Sequence, residues 1–349
     1  MRPASRRSVF VLSIVLAGCG SQAPSVSPPP VPTSAPTTAA ATATVAPTVA
    51  MTSAPSPTTD ASAWSAPAFL PETGRILFTV EREGEPSRLG YIDQTGLHEI
   101  PIVSDATFGN AIWGPNDTII FDSERVGGVR HIFRMGIDGS NIVQLTSGPT
   151  AQDSAAVSPD GKTVAFGDVD PAQKRDIGIH LANTDGSHVR DLTPGGGPGV
   201  DGEDDAAFSP DGTWIAFERV VDPSVPTAGL FLIHPDGTGL RRLTDDASGA
   251  GYARWSPDGK RILYSDAASH LWVIGVASGK ATQLSDPADP GLVNDANWSP
   301  DGTQIVYRHF TPGSPASIEL VVANADGTDP KKLWVAPLNH GANRPDWSP

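Results

Sequence analysis

The sequence predicts an all-β chain: a six-bladed β-propeller of four-stranded antiparallel blades, preceded by a disordered Pro/Thr/Ala-rich stalk. Two observations predict this architecture. Six related units follow one another, at spacings of 44, 44, 51, 47 and 43 residues. Each unit also holds two tight-turn signals between short apolar runs. Four strands in a repeat of about 40–50 residues are typical of propeller blades.

The first half of each unit is a strand, a tight turn and a second strand. In the clearest copies an aromatic residue is followed by Ser-Pro-Asp-Gly and then by an apolar run. Pro presets φ, Asp bonds to its own turn and Gly permits the reversal, so we interpret these turns as structural. The leading residues are Phe69, Trp113, Val157, Phe208, Trp255 and Trp298. We interpret Trp113, Phe208, Trp255 and Trp298 as packing between blades.

The second strand of each unit is apolar on consecutive residues, as in Ile119, Ile120 and Phe121. Such a strand is buried on both faces, as a blade between two neighbours is. The second half of each unit is an apolar strand that enters a Gly turn and a short strand that ends near Leu-Thr. Asp-Gly between apolar runs favours a tight hairpin.

The segment from Asp346 to Pro349 repeats the start of a unit. We predict that this C-terminal strand completes the first blade as its innermost strand. Closure of this kind removes the free sheet edges that invite aggregation. An alternative is that Phe69 supplies the innermost strand and Trp347 packs outside.

The Ser-Pro-Asp-Gly repeat over about residues 69–349 resembles the TolB-type, WD-like propeller repeat. The same repeat forms the N-terminal domain of prolyl-oligopeptidase-type enzymes. The resemblance implies the propeller fold and an envelope binding or scaffolding role, because TolB docks lipoproteins and other envelope proteins. The separate N-terminal α/β domain of TolB has no counterpart here, so involvement in a Tol-Pal system stays open.

Residues 1–18 have the pattern of an export signal, with three arginines before the apolar run 9–17. This run is too short to span a bilayer, which needs about 20 apolar residues. The sequence Leu-Ala-Gly-Cys at 16–19 resembles the bacterial lipobox, which implies acylation of Cys19 and an extracytoplasmic, membrane-anchored protein in the cell envelope. The alternative is an ordinary secretory signal with an incidental cysteine.

Residues 19–65 form the predicted stalk and residues 66–349 the propeller. The stalk consists mainly of Pro, Thr, Ala, Ser and Val, and Asp60 is its only charge. It shows no periodicity of a helix or strand, and Pro-rich chains of this kind are extended and semi-rigid.

The net charge is −15 at pH 7. Cleavage of the signal would lower Lys+Arg from 24 to 21 against 39 acids, so the mature charge would be −18. Strong negative charge argues against a nucleic-acid or anionic-lipid binder. We therefore expect attachment to the membrane through the N-terminal lipid, a monomeric domain, and an envelope protein or a cationic peptide or ligand as partner.

The candidate site lies on the face opposite the tight turns, where the long loops and the mouth of the channel meet. Variable loops on a rigid scaffold are where binding concentrates. The predicted binding residues are Asn110, Asp153, Asp201, Glu203, Asp204, Asp205, Tyr252, Asp295 and Arg344.

No cofactor is predicted for this acidic face, although Ca²⁺ remains an alternative. Ca²⁺ needs six to eight oxygens, and the acidic run 201–205 is the best local cluster. That run lacks the residue spacing of a calcium loop. The remaining interpretation is that these acids simply solvate the surface.

The sequence shows no G-x-S-x-G or H-E-x-x-H motif, and its 8 histidines are dispersed. We therefore predict a non-catalytic binding or scaffolding protein. The alternatives are a propeller enzyme that acts on polysaccharide, a lyase or hydrolase using channel-mouth carboxylates and histidines, and a solute-binding lipoprotein.

Overall fold

A computed structural model describes residues 74–82, 87–101, 108–170, 175–193, 202–222, 227–245, 248–312, 317–336 and 340–347, all within one compact unit. These residues form β-strands, turns and short connections. No helix among them is long and apolar enough to cross a membrane. The signal, Cys19, the stalk and Asp201 lie outside the described residues, so those predictions stay predictions.

The strands fall into six sheets of four. Blade 1 contains β1 (Ile76–Arg82), β2 (Arg88–Asp93), β3 (Gly96–Glu99) and β24 (His340–Trp347). Blade 2 contains β4 (Phe108–Gly114), β5 (Thr118–Ser123), β6 (His131–Gly136) and β7 (Val143–Gln144), and blade 3 contains β8 (Ala151–Val157), β9 (Thr163–Asp170), β10 (Arg175–Asn183) and β11 (Arg190–Asp191).

Blades 4 to 6 repeat the same pattern. Blade 4 contains β12 (Gly202–Phe208), β13 (Ile215–Asp222), β14 (Thr227–Ile233) and β15 (Arg241–Arg242). Blade 5 contains β16 (Gly251–Trp255), β17 (Arg261–Ser265), β18 (Leu271–Gly275) and β19 (Ala281–Gln283), and blade 6 contains β20 (Leu292–Trp298), β21 (Gln304–Thr311), β22 (Ser317–Asn324) and β23 (Lys331–Val335).

The C-terminal strand closes the ring. The order of the first sheet is β24-β1-β2-β3, and Ile76 pairs with Trp347. Trp347 is only 6% exposed and packs with Phe78 and Val306 in a cluster shared by blades 1 and 6. The six-bladed fold and the predicted closing strand are therefore confirmed. Phe69 lies outside the described residues, but β24 already holds the innermost place.

The second strands are buried on both faces, as their apolar runs predicted. Leu77 packs with Phe121 in the cluster between blades 1 and 2, whereas its neighbours Ile76 and Phe78 pack toward blade 6. Alternate residues of one strand thus pack into two different hydrophobic clusters, one on each side of the blade. Six such clusters, each shared by adjacent blades, join the described blades into a continuous ring.

The Ser-Pro-Asp-Gly turns are held by hydrogen bonds within each turn. In blade 4 the Ser209 hydroxyl donates to Asp211 at 2.6 Å, and the Thr213 N–H donates to the same carboxylate at 3.0 Å. Gly212 has φ of 70°, which a side chain would disfavour. These contacts give the turns the structural role predicted for them, on the face opposite the long loops.

Candidate functional site

Each innermost strand carries a β-bulge at the same place, three residues before the leading position. In blade 3, for example, the pairing of β8 with β9 shifts between Asp153 and Ala156. Bulges commonly re-aim side chains near functional sites. The six equivalent residues at these bulges are Asn110, Ser154, Asp205, Tyr252, Asp295 and Arg344.

Five of these six residues adopt the left-handed backbone conformation, which is uncommon outside glycine. Their φ values lie between 49° and 59°. A conformation repeated at one position of successive blades is a property of the repeat rather than a local accident. Three of these residues, Ser154, Asp205 and Arg344, line a central cavity together with Asn110.

Sequence reasoning placed five of the six ring residues at the channel mouth and missed Ser154. The Ser154 hydroxyl donates to Asp204 at 3.3 Å and lies 3.4 Å from the Asn110 amide nitrogen. The signal was present, because Ser154 precedes the leading Val157 by the same three residues as Asp205 precedes Phe208. Serine carries no charge, so an argument from acidic and basic residues does not include this position.

Arg344 is the electrostatic centre of the mouth. Its Nη1 lies 2.9 Å from Asp205 Oδ1 and its Nε lies 3.9 Å from Asp295 Oδ1. Its guanidinium carbon lies 5.3 Å from the centre of the Tyr252 ring. Burial alone would lower the pKa of Arg344, but the carboxylates of Asp205 and Asp295 raise it above its ordinary value. The mouth thus already holds one cation, supplied by the chain itself.

The other predicted acids fall into two groups. Asp153 lies 3.6 Å from Arg130, and Asp204 contributes to the raised pKa of Arg344. Asp204 therefore acts on the charge at the mouth, whereas Asp153 forms a contact between blades 2 and 3. Glu203 is instead only 2% exposed and forms an ion pair with Arg219 inside blade 4. The structure places Glu203 in a buried contact, away from the ring of bulge residues.

A second layer of polar residues lies two positions further along the innermost strands. Asp346 accepts hydrogen bonds from the backbone N–H of Trp113 at 2.7 Å and from the Asn297 amide at 2.5 Å. Burial raises the pKa of Asp346 from 3.8 to about 6, although both hydrogen bonds and the charge of Arg254 oppose that shift. This carboxyl links the closing strand to blades 2 and 6.

The central cavity at the ring has a volume of about 10 Å³. That is room for about one water molecule, whereas pockets for small ligands are about 300–1,000 Å³. No histidine is among the residues that line it. Over the described ranges, no group of three His, Cys, Asp or Glu side chains is placed to hold a metal ion.

Two histidines outside this cavity lie close to acidic side chains. His309 Nε2 lies 2.9 Å from Asp289, and its Nδ1 lies 3.5 Å from Glu319. In blade 3, His180 Nδ1 lies 3.1 Å from Asp191. These contacts are formed within individual blades, so they tie strands and loops together locally.

Comparisons with known proteins support the propeller. No protein-family model matches the chain. The chain is 28% identical over 166 residues to a protein TolB homolog from Chlorobium luteolum, a match that covers 48% of this chain and only 35% of the relative. The crystal structure of TolB from Acinetobacter baumannii superposes with a TM-score of 0.64 at 19% identity, covering 81% of this chain and 69% of that one.

Enzymes share the same architecture. The structure of oligogalacturonate lyase from Vibrio parahaemolyticus superposes with a TM-score of 0.50 at 14% identity, covering 75% of this chain and 73% of that one. At this level of identity the likeness shows the fold alone.

Proposed function

We propose that this TolB-like propeller is a lipid-anchored, extracytoplasmic module that binds a protein partner through its acidic long-loop face. The resemblance to TolB supports an interaction role in the cell envelope. The lipobox-like segment that ends at Cys19 supports anchoring to a membrane. The acids of the loops favour a partner with a basic contact surface.

The observation that carries this proposal is the closed mouth of the channel. Arg344 lies 2.9 Å from Asp205 and 3.9 Å from Asp295, and the cavity lined by Arg344 and Asp205 has a volume of about 10 Å³. A sugar or other solute does not fit there. Recognition on this face would therefore use its surface, which favours a macromolecule over a small ligand.

Two exposed acids on the same face are candidates for such a contact. Asp245 follows the last strand of blade 4, and Asp286 follows the last strand of blade 5; both are exposed. Both belong to blade-to-blade connections on the loop face. The Asp286 carboxylate accepts the Ala288 N–H at 2.8 Å, a bond that an asparagine oxygen would preserve.

The test is affinity capture of envelope proteins by the domain from about residue 64 to residue 349, with and without EDTA. The double variant Asp245→Asn/Asp286→Asn should reduce capture of a specific partner at least several-fold, most strongly at low salt. Its matched control is Asp185→Asn/Asp326→Asn, which removes the same charge from exposed turns on the opposite face. Equal loss in both variants, or turnover of a glycan without any partner, would count against the proposal.

Anchoring is tested separately. Cys19→Ala should release the protein from the membrane fraction, because lipid chains hold it there at about 0.8 kcal/mol per buried CH₂. A protein that stays membrane-bound with alanine at 19 would show that attachment does not depend on this thiol. The outcome is independent of which face binds the partner.

A further inference from the structure

A cleft opens between blades 3 and 4 on the side of the tight turns, opposite the acidic long-loop face. Its volume is about 330 Å³. This is within the range of about 300–1,000 Å³ that is usual for ligand pockets. Its apolar lining includes Pro159, Leu181, Phe208 and Pro235.

At the cleft the leading residue of blade 4 is Phe208 rather than a tryptophan. At other junctions a leading indole crosses to the preceding blade: Trp255 Nε1 donates to the Ala207 carbonyl and Trp298 Nε1 to the Arg254 carbonyl, both at 3.1 Å. Phe208 has no indole N–H to offer, so the equivalent carbonyl of Ala156 receives no such bond. The Phe208 ring lines the cleft at the position that an indole holds in blades 5 and 6.

The outer turn of blade 4 also departs from the repeat. In blades 3 and 5 the backbone N–H of Thr184 or Val276 bonds to the inner turn of the same blade, at 2.9 Å in each case. The equivalent residue in blade 4 is Pro235, which has no N–H. Instead, the His234 ring lies 2.7 Å from the Thr213 carbonyl oxygen.

This turn stands further from the preceding blade than its counterparts do. A methyl group added at Gly237 would lie 3.8 Å from the Leu192 carbonyl oxygen, against 2.5 Å for the equivalent contact of Gly186. Arg190 spans the gap, and its Nη2 donates to the Pro235 carbonyl at 2.5 Å. Three departures from the repeat therefore coincide at one junction.

The charged groups of the cleft favour a cation. Two carboxylates line it, from Asp160 and Asp211, against the single guanidinium of Arg190, which is directed to Pro235. Hydrogen bonds from Ser158 and Ser209 lower the pKa of Asp160 and Asp211 respectively, so both are ionised at neutral pH.

Lys162 lies 3.5 Å from Asp160. That contact leaves Asp211 as the lining carboxylate for a ligand cation.

We propose that this cleft binds an aromatic side chain of a partner polypeptide, with a lysine or arginine beside it that faces Asp211. The aromatic ring would take the place that leading tryptophans take at other junctions of this molecule. The site is distinct from the acidic loop face and does not depend on the function proposed for that face.

The test uses ¹⁹F NMR titration of the full-length protein with 5-fluorotryptamine, an indole that carries an ammonium group. Wild type should bind it saturably, with a Kd of about 1 mM or tighter, which corresponds to about 4 kcal/mol. Phe208→Trp fills the cleft with the chain's own indole and should weaken binding at least tenfold. A thermal melt confirms that this variant is folded.

Charge is tested with a matched pair of variants. Asp211→Asn should weaken binding at least threefold, while Asp301→Asn should leave it unchanged. The two aspartates accept the same set of turn hydrogen bonds, from a Ser hydroxyl and from the N–H and hydroxyl of a Thr. Equal binding to wild type and to folded Phe208→Trp, or no saturable binding up to about 10 mM, would overturn the proposal.

The anionic analogue 5-fluoroindole-3-acetate completes the experiment. It presents the same ring with a carboxylate, and it should bind wild type at least threefold more weakly than the amine. If the two ligands bind equally well, the assigned role of Asp211 is wrong. If the acetate binds better, Arg190 is the recognition group and the proposed basic partner residue is excluded.

Discussion

Arg344 on the closing strand of blade 1 lies 2.9 Å from the carboxylate of Asp205 on the innermost strand of blade 4, which is 139 residues away in sequence. Blades 1 and 4 are opposite each other in a six-bladed ring, so this ion pair crosses the axis. Both side chains are almost fully buried, with 10% and 6% of their surface exposed. The ion pair therefore connects the strand that closes the ring to a charged residue of the channel mouth.

Arg344→Met tests that connection. The variant leaves Asp205 and Asp295 without their cation, and removing one partner of a buried ion pair typically costs about 3–5 kcal/mol. We expect the free energy of unfolding, measured in urea at pH 7, to fall by that amount. Addition of Asp205→Asn should restore part of it, because it removes one uncompensated charge. A loss below about 1 kcal/mol would mean that water compensates these carboxylates.

Asp346 makes stability depend on pH in an unusual direction for a carboxyl group. Its pKa is about 6 in the folded protein against an ordinary 3.8, so the folded state binds the proton more tightly than the unfolded state does. The stability that the protonated Asp346 carboxyl contributes to the folded state is therefore fully present below about pH 4. It is lost as the pH rises through about 6.

Asp346→Asn isolates this effect. The stability of wild type relative to the variant should fall by about 2 kcal/mol between pH 4 and pH 7, and urea unfolding at half-unit steps measures it. The control is Asp301→Asn, because turn hydrogen bonds lower the pKa of Asp301 and give the opposite trend. A flat difference for Asp346→Asn would show that its carboxyl is solvated.

The blades were predictable because their signals are local and repeated. Successive apolar residues such as Ile119 and Ile120 can only be buried on both faces, and both are fully buried. The closing strand was predictable because residues 346–347 repeat the start of a unit. Its pairing partner then had to be the strand that begins at Ile76, the first second-strand run in the chain.

The candidate site was only partly predictable, because it depends on side-chain directions at the bulges. Position in the repeat identified Asp205, Asp295 and Arg344 as mouth residues. Their mutual pairing could not be predicted, because it joins residues on opposite blades through rotamers. Glu203 shows the same limit: two residues from Asp205 on one strand, it packs against Arg219 rather than contributing to the ring.

The Ser-Pro-Asp-Gly turns should make the protein sensitive to acid. Hydrogen bonds from serine hydroxyls and backbone N–H groups lower the pKa of each turn carboxyl, so the stability they contribute is present above about pH 4 and lost as the pH falls below that value. The four residues concerned are Asp160, Asp211, Asp258 and Asp301.

A quadruple Asp→Asn variant of these turns should retain the hydrogen-bond acceptors while removing the titrating groups. Its urea midpoint should therefore change less than that of wild type between pH 5 and pH 2.5. If the two curves run parallel, the acid sensitivity arises elsewhere, for example in buried ion pairs such as that of Glu203 with Arg219.

The variant Trp347→Ala tests how much closure of the ring contributes to the stability of the fold. Trp347 is 6% exposed and packs with Phe78 and Val306, so it holds blade 6 against blade 1. Trp347→Ala should cost about 3–5 kcal/mol, the usual range for a buried tryptophan. It should also increase light scattering during refolding, because a frayed β24 exposes the edge of β1. Trp214→Ala is the control: this half-buried ring lies 3.7 Å from the His234 ring and at the margin of the core between blades 4 and 5, away from β24. Its loss should cost less than the loss of Trp347 and should cause no aggregation. Equal aggregation of both variants would indicate that closure by β24 is not what protects the first blade.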